Sequence, residues 1–525
     1  MIVQYAVHGN RRSGDRIDSS SIWRFLGGDT VIPDAPLLAV VLPAILGILI
    51  YAFQKYLKEK VGWISTGAAI SSFLLILSMA KQVLDGYNND QGSIVYEYPW
   101  VTPINIKFGF LIDVVSLPIG LIIALISALS CFYSIKYMHD EENQSFYYMN
   151  LLLFMTGMMG VVFSINLIEF YLFWELMLIP SYLLIAQWGT SRRRLSIGFK
   201  YFIFTHAGAL LMLLGILSIF SYTMTFNLVE LPSKSDMIPP NVAPIIFTLL
   251  LLGFFVKMAV FPLHTWLPDA HSEAPAPISA MLSGLMIKSG AYGIGRILLT
   301  VFSSRMIQAS DYLLTLAIIT IIYGGLMALA QTDIKRLFAY SSISQVGYIV
   351  FGFASVSELG VMGSLLHIVN HAICKALLFM CAGSIIHQTG TRNIERISGL
   401  ITKMPITSLA ALIGIFSLSG APPLNSFWSE WMIFAGGLAS GKVAFVFVGV
   451  ASTMVTAGYL LWFAWRAFFG GVPQRLEHVK ESPRLLLVPI VILASMSVAL
   501  GIWPGLLLEY MTPAAESLLK FSSGG

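Results

Sequence analysis

Residues 253–277 read GFFVKMAVFPLHTWLPDAHSEAPAP. An apolar helix carries an ammonium at Lys257 and meets Pro262 five residues later. Beyond it lie His264, Asp269, His271, Glu273 and three more prolines. Proline lacks an N–H and clashes with the carbonyl four residues back, here that of Met258, so the helix must stop or kink. In hydrocarbon, backbone groups freed this way survive only inside protein or beside water. The stretch therefore predicts a broken membrane helix with a small hydrated cavity beside Lys257, where the lysine can be wetted and can exchange a proton.

The setting of that stretch is apolar throughout. The 525 residues are 57% hydrophobic and only 11% charged, against about a quarter charged in soluble domains. Runs near twenty apolar residues recur, each long enough to cross about 30 Å of hydrocarbon as a helix. They lack the alternation of barrel strands, which leaves a polytopic helical membrane protein. About fourteen spans centre near residues 44, 70, 123, 156, 178, 210, 253, 288, 320, 345, 373, 420, 455 and 496. A polar piece at 81–110 is expected to be a small external hairpin or loop.

Cys131, Cys374 and Cys381 all fall in apolar spans with no CxxC or Cys/His spacing. They read as buried small hydrophobes rather than disulfide, zinc or iron–sulfur ligands. No GxGxxG or P-loop pattern points to a nucleotide. Residues 1–33 are polar and basic, unlike a cleavable signal peptide.

Basic residues concentrate in alternate loops: QKYLKEK, TSRRRLS, QTDIKRLF, TRNIERISGLITK and PQRLEHVKESPR follow spans one, five, nine, eleven and thirteen. Loops on the other side carry Asp85, Asp90, Glu97 and Glu358. The positive-inside rule then directs odd-numbered spans into the cytoplasm and leaves both termini outside. The segment NRRSGDR at 10–16 dissents from that assignment. An internal echo pairs THAGALLMLL with NHAICKALLFM, and FPLHTW at 261–266 with APPLNSFW at 421–428. Two broken helices five spans apart match an inverted repeat, because an odd spacing turns the second unit over.

Ionisable residues lie deep in these spans, where each costs about 2.5–3.5 kcal/mol on insertion scales. Glu175 sits within FYLFWELMLIPSYLLI, Lys257 one turn before the break, and Lys288 near the middle of ISAMLSGLMIKSGAYGIGR. Glu430 follows the second break in NSFWSEWMIFAGG. His367, His371 and Lys375 recur at i, i+4 and i+8, a one-faced row climbing about 12 Å. A lone structural ion pair for Glu175, snorkelling lysines or a packed histidine are the plainer readings. The row of three titratable groups on one stripe favours a polar wire. On that reading Lys257 gains and loses Glu175 as its partner, and His264 passes protons towards Lys288. His271 and Glu273 read as solvated cap and loop groups. The histidines of HTWLPDAH, seven apart across prolines, do not have metal-ligand spacing.

With these residues in hand, the chain resembles the antiporter-like subunits of respiratory complex I, the Mrp cation/proton antiporters and the membrane-bound hydrogenases. The likeness is strongest from about residue 107 to 440. It rests on FYLFWELMLIPSYLLI, on residues 256–296, and on DIKRLFAYSSISQVGYI and HIVNHAICKALLFMCAGSI. The resemblance implies an all-α fold of about fourteen transmembrane helices with two inverted five-helix repeats, helices seven and twelve being broken. The implied division is 1–33, an extension of unknown role; 34–135, helices one to three with the external loop; 136–303, the first repeat; 304–470, the second; and 471–525, a cytoplasmic loop and the last helix. It casts Glu175, Lys257, Lys288 and Glu430 as proton-transfer groups, with His367, His371 and Lys375 as the relay, to which the reading of the residues themselves adds His264. Glu430 at the helix-twelve position looks like the M-type chain (subunit 4) of proton-pumping NADH:quinone oxidoreductase, or of a ferredoxin- or F420-linked relative.

The resemblance implies no cofactor on this chain, iron–sulfur clusters and flavin being expected on partner subunits. It implies other antiporter-like and small membrane subunits and a peripheral redox arm as partners, in an energy-conserving membrane, with no nucleic acid. A sodium/proton antiporter component driven by an ion gradient is the alternative. A purely structural scaffold would leave the buried charges idle.

Overall fold

A computed structural model describes residues 34–88, 92–102 and 106–520. The extension expected at 1–33, and the side on which the amino terminus was expected, lie outside the described residues. Among the described residues, eleven helices are long and apolar enough to cross a membrane, from Ala35–Ala52 to Arg484–Ile502. The three other segments expected to span, centred near residues 253, 288 and 420, are helices with interruptions. The first is Ala243–Met258 followed by Leu267–Glu273. The third is Pro405–Leu418 followed by Asn425–Ala439. Between them, the run from Ala276 to Val301 is α-helical except for π turns at Leu282–Met286 and Ile294–Leu298.

The helix starts follow local chemistry. The side chains of Asn166, Asp333 and Ser357 accept the N–H groups of Glu169, Arg336 and Gly360, so three helices begin with a satisfied donor. The two breaks resemble each other in detail. In the first, Ala259 takes a left-handed φ of 58° and the Phe261–Pro262 peptide is cis; in the second, Gly420 has φ 72° and Pro422–Pro423 is cis.

The polar piece at 81–110 resolves into two parts. The preceding helix runs on through Asn88. An antiparallel pair follows, Ser93–Val101 with Ile106–Asp113, in the register Ser93↔Asp113 and Val95↔Leu111. The second strand outlasts the predicted loop because its inward residues Phe110 and Ile112 are fully buried. Phe110 also bridges Ser164 at the end of the Gln144–Phe163 helix.

Burial sorts the helices into rings. Ile334–Ala354 and Glu358–Thr389 are wholly enclosed, whereas Arg194–Thr223 and Val443–Phe468 turn Phe199, Ile203, Leu214, Phe447 and Met454 outward. The enclosed pair carries the polar row His367, His371 and Lys375, since in hydrocarbon polarity is least costly on the inside. Close approach is made with small residues. A Cβ on Gly363 would stand 2.7 Å from the Ile433 nitrogen, and one on Gly436 2.7 Å from Ser357 Oγ. Gly436→Val is expected to push the Asn425–Ala439 helix off its neighbour at a cost of about 1–3 kcal/mol. Thermal melting of the detergent-solubilised protein checks it, an unchanged midpoint counting against the tight contact.

Candidate functional site

The first break gathers three helices around a carboxylate. Glu175 lies mid-way along Leu167–Trp188, and its Oε2 is 3.0 Å from His206 Nδ1 on Arg194–Thr223. Glu175 Oε1 is buried without a hydrogen-bond partner. Lys257, in the last turn before the break, is buried within electrostatic reach of Glu175. Its Nζ makes no hydrogen bond and stands 5.4 Å from the centre of the Trp174 ring. The expected Glu175–Lys257 contact is therefore a neighbourhood, and the direct partner is His206. His264 is buried between Phe261 and Tyr323, its ring centre 5.6 and 4.7 Å from theirs. Among the described residues no hydrogen bond joins it to Lys288.

The interrupted helix Ala276–Val301 brings Lys288 to the middle of the molecule. The first π turn ends just before it, as π turns often do at functional positions. Its ammonium donates to the Ser283 carbonyl, and Ser283 Oγ meets Ser342 Oγ at 2.7 Å. Lys288, Lys375, His371 and His367 act on one another electrostatically. Lys375 Nζ donates to Ser341 Oγ at 2.6 Å and to the Phe338 carbonyl at 3.1 Å. The His367 and His371 rings stack with centres 5.7 Å apart, and both nitrogens of His371 are buried without partners. The predicted one-faced row is thus wholly enclosed.

The second break continues the line. His367 Nε2 lies 2.8 Å from Gln345 Oε1, and Nδ1 lies 2.9 Å from Ser429 Oγ. Gln345 adjoins Glu430, whose Oε1 is buried and unpartnered. Glu430 Oε2 occupies the space a Cβ on Gly420 would need, 2.7 Å away, so this position requires glycine for both its φ and its room. Asn425, the first residue after the break, accepts from Ser417 and Ser497 at 2.6 and 2.7 Å and donates to Asn370 Oδ1 at 3.2 Å. Cys374 Sγ is 3.2 Å from Ser417 Oγ, a buried thiol in a polar cluster, and the other two cysteines are also buried.

Three residues differ from their sequence reading. His271 and Glu273, expected as solvated cap and loop groups, are buried. His271 stacks on Phe379 at 4.9 Å with neither nitrogen bonded, and Lys375, Lys335 and Lys288 surround it. Glu273 accepts the Ser191 N–H at 2.8 Å. Lys335, counted as a loop charge in QTDIKRLF, is enclosed and donates to the Ala274 carbonyl at 2.6 Å. The reason is tertiary: the short Leu267–Glu273 helix tucks under the start of Ile334–Ala354, and a linear pattern does not show which loop covers which. His206 was also missed, although it stood in the THAGALLMLL echo opposite His371. Among the described residues, no group of three or more His, Cys, Asp or Glu side chains is arranged to hold a metal ion.

A bundle of apolar helices with two broken members and a buried line of Lys, Glu and His defines a membrane subunit of the antiporter type. Residues 164–456 match the family model described as NADH:quinone oxidoreductase/Mrp antiporter, TM, and residues 100–148 match that of NADH-ubiquinone oxidoreductase (complex I), chain 5 N-terminus. The chain belongs to this family and is an integral membrane protein. It is 31% identical over 437 residues to F(420)H(2) dehydrogenase subunit M of Methanosarcina mazei, covering 81% of this chain and 86% of that one. It is 34% identical over 519 residues to a Na(+)/H(+) antiporter chain of Alkalihalophilus pseudofirmus, covering 92% of this chain and 63% of that one. Its fold superposes on a chain of respiratory complex I from Thermus thermophilus with a TM-score of 0.83 at 26% identity, over 93% of this chain and all of that one.

Proposed function

We propose that the chain is a proton-translocating subunit of a redox-driven membrane complex of the NADH:quinone oxidoreductase type, nearest to the M-type chain. The observation that carries this is the line of ionisable groups from the part-buried Glu175 and the buried Lys257 through the buried Lys288, Lys375, His371 and His367 to the buried Glu430. Groups this costly in a membrane interior are kept for ion movement. Unpartnered polar atoms on Lys257, His371 and Glu430 suit water molecules linking one group to the next. Protons are taken up at Lys257 and Lys288, travel the His367–Lys375 row and leave near Glu430. His264 and His271 flank that path. The first unit, 136–303, and the second, 304–470, are its inverted halves, with basic loops on the cytoplasmic side and both termini outside.

Moving one charge against 100 mV costs about 2.3 kcal/mol, so the energy comes from electron transfer in partner subunits that hold iron–sulfur clusters and flavin. Co-purification of the native complex with mass spectrometry of its partners tests this. Redox subunits with bound iron and flavin are the expected result. A sodium/proton antiporter assembly is the second reading, favoured by the relative named as a Na(+)/H(+) antiporter. Partners free of iron and flavin, with sodium-driven proton exchange in vesicles, would establish that reading instead.

A further inference from the structure

Gln345 stands between two groups of the proton path, and a side-chain amide does not itself give up a proton. It lies on the enclosed Ile334–Ala354 helix with no exposed surface. Its Oε1 is 2.8 Å from His367 Nε2, and its side chain adjoins Glu430. Gln345 Nε2 and Glu430 Oε1 are both buried without a hydrogen bond. An unmade bond of this kind costs about 1–3 kcal/mol, which a small rotation of the amide towards Glu430 recovers. The other nitrogen of His367, Nδ1, is 2.9 Å from Ser429 Oγ, and that hydroxyl is also 2.9 Å from the Ser426 carbonyl. Ser429 has one proton for two acceptors, so the contact at Nδ1 has two settings. Either Ser429 donates to His367, or it donates to Ser426 and accepts from His367. Around the three groups stand Tyr348 of the Gln345 helix and Tyr459 of Val443–Phe468, with His371 and Lys288 on the side of the row.

We propose that Gln345 is a positioning residue whose amide turns over with each proton passed from His367 to Glu430 and bars its return. Before transfer, His367 donates its Nε2–H to Gln345 Oε1, Ser429 donates to Nδ1, and the amide N–H faces ionised Glu430. In the transfer the Nε2–H bond breaks and a Glu430 O–H bond forms, through water beside the amide. His367 takes the next proton of the row at Nδ1, which then donates to Ser429. The row has lost one proton and Glu430 has gained one, while Gln345 neither gains nor loses any. After transfer, protonated Glu430 donates to Oε1, and the amide N–H points at the bare Nε2, which cannot take the proton back. The two ends of an amide are nearly equal in shape, so the turn needs no repacking. Release of the proton from Glu430 lets the amide turn back. This deepens the proton-translocation reading and rests on it, since it names the group that gives the last step its direction.

The test is Gln345→Met in the assembled complex, which keeps the length of the side chain and removes both ends of the amide. Pumping is expected to fall about tenfold at unchanged complex yield. Infrared difference spectra taken during turnover supply the second readout. The carbonyl stretch of protonated Glu430, assigned by its loss in Glu430→Gln, is expected to move to higher wavenumber as its hydrogen bond to the amide goes. Gln345→His, whose neutral imidazole also has one donor and one acceptor, is expected to pump near the wild-type rate. A histidine variant as slow as the methionine one counts against the proposal. An unmoved Glu430 band in an assembled methionine variant overturns it, whatever the rate. If the methionine variant does not assemble, wild-type complex grown with glutamine isotope-labelled at its side-chain carbonyl carries the test. An isotope-sensitive amide band that changes together with the Glu430 band supports the proposal, and a Glu430 band changing alone overturns it. Lys257→Ala measured in parallel separates the two levels. If it abolishes pumping while the Glu430 band of Gln345→Met stays in place, only the role of Gln345 falls. If it pumps normally, the translocation reading itself falls.

Discussion

Lys257→Ala in the assembled complex is expected to cut proton pumping about a hundredfold or more while leaving assembly intact. The magnitude is that of general acid–base chemistry, in which a positioned side chain that gives and takes a proton contributes about 10²–10⁴-fold. Here the ammonium is a buried cation within reach of Glu175, set beside Trp174 with no hydrogen bond to keep it. Because it makes no bond, removing it breaks no hydrogen-bond network, so assembly persists. Lys288→Met should be comparably damaging to transport. That ammonium lies among Lys375, His371 and His367 and is anchored through the Ser283 carbonyl. Acidification of inverted vesicles during turnover, with native-gel quantification of the complex, reads both effects. A Lys257→Ala complex that pumps normally would mean the buried charges are a scaffold.

Asp113→Asn is expected to act oppositely, on stability rather than on transport. Arg296 grips Asp113 with two bonds of 2.7 Å, and Tyr292 accepts the remaining Nε–H at 2.9 Å. The N–H groups of Val115 and Ser116 also point to Asp113 Oδ1, at 3.1 and 2.9 Å. The pair ties the second hairpin strand to the interrupted helix that carries Lys288. Breaking one member of a buried pair strands the other charge and costs about 3–5 kcal/mol. Replacing both residues by leucine should cost less than either single change, because nothing charged is then left behind. Burial raises the Asp113 carboxyl, but the Arg296 guanidinium and the Ser116 N–H outweigh it and hold the group below the usual carboxylate range. A depressed group stabilises the fold above its unfolded value of about 4 and loses that contribution as pH falls through the lower folded value. Thermal melting across pH 3 to 7 should therefore show an acid-side decline in the wild type that is shallower in Asp113→Asn. Equal slopes would remove Asp113 from the account.

Much of this was legible along the chain. Pro262 and the paired prolines at 422–423 announced the two breaks, because a missing N–H is a property of the residue and not of its surroundings. Glu175, Lys257, Lys288 and the row His367, His371, Lys375 stood out because a charge inside a twenty-residue apolar run needs no fold to be conspicuous. The enclosed position of that row in the Glu358–Thr389 helix agrees. The 81–110 segment was only half legible. Its alternation suggested a hairpin, while the second strand runs on to Asp113, paired with Ser93, because Phe110 and Ile112 are buried against the interior and Phe110 bridges Ser164 just after the Gln144–Phe163 helix.

What the linear pattern could not decide is who touches whom. His206 sits 31 residues from Glu175 and is its direct partner; Lys335 and His271 looked like loop groups and are enclosed. Apolar runs and prolines are intrinsic, so sequence alone determined a helical membrane protein with two broken spans and charges in its interior. Pairing depends on the rotation and depth at which helices lock together. That is set by glycine contacts such as Gly363 against Ile433 and by the fold of the short helix after the first break. Only the tertiary structure therefore decided that Glu175 rests on His206 and that Lys257 is left unbound.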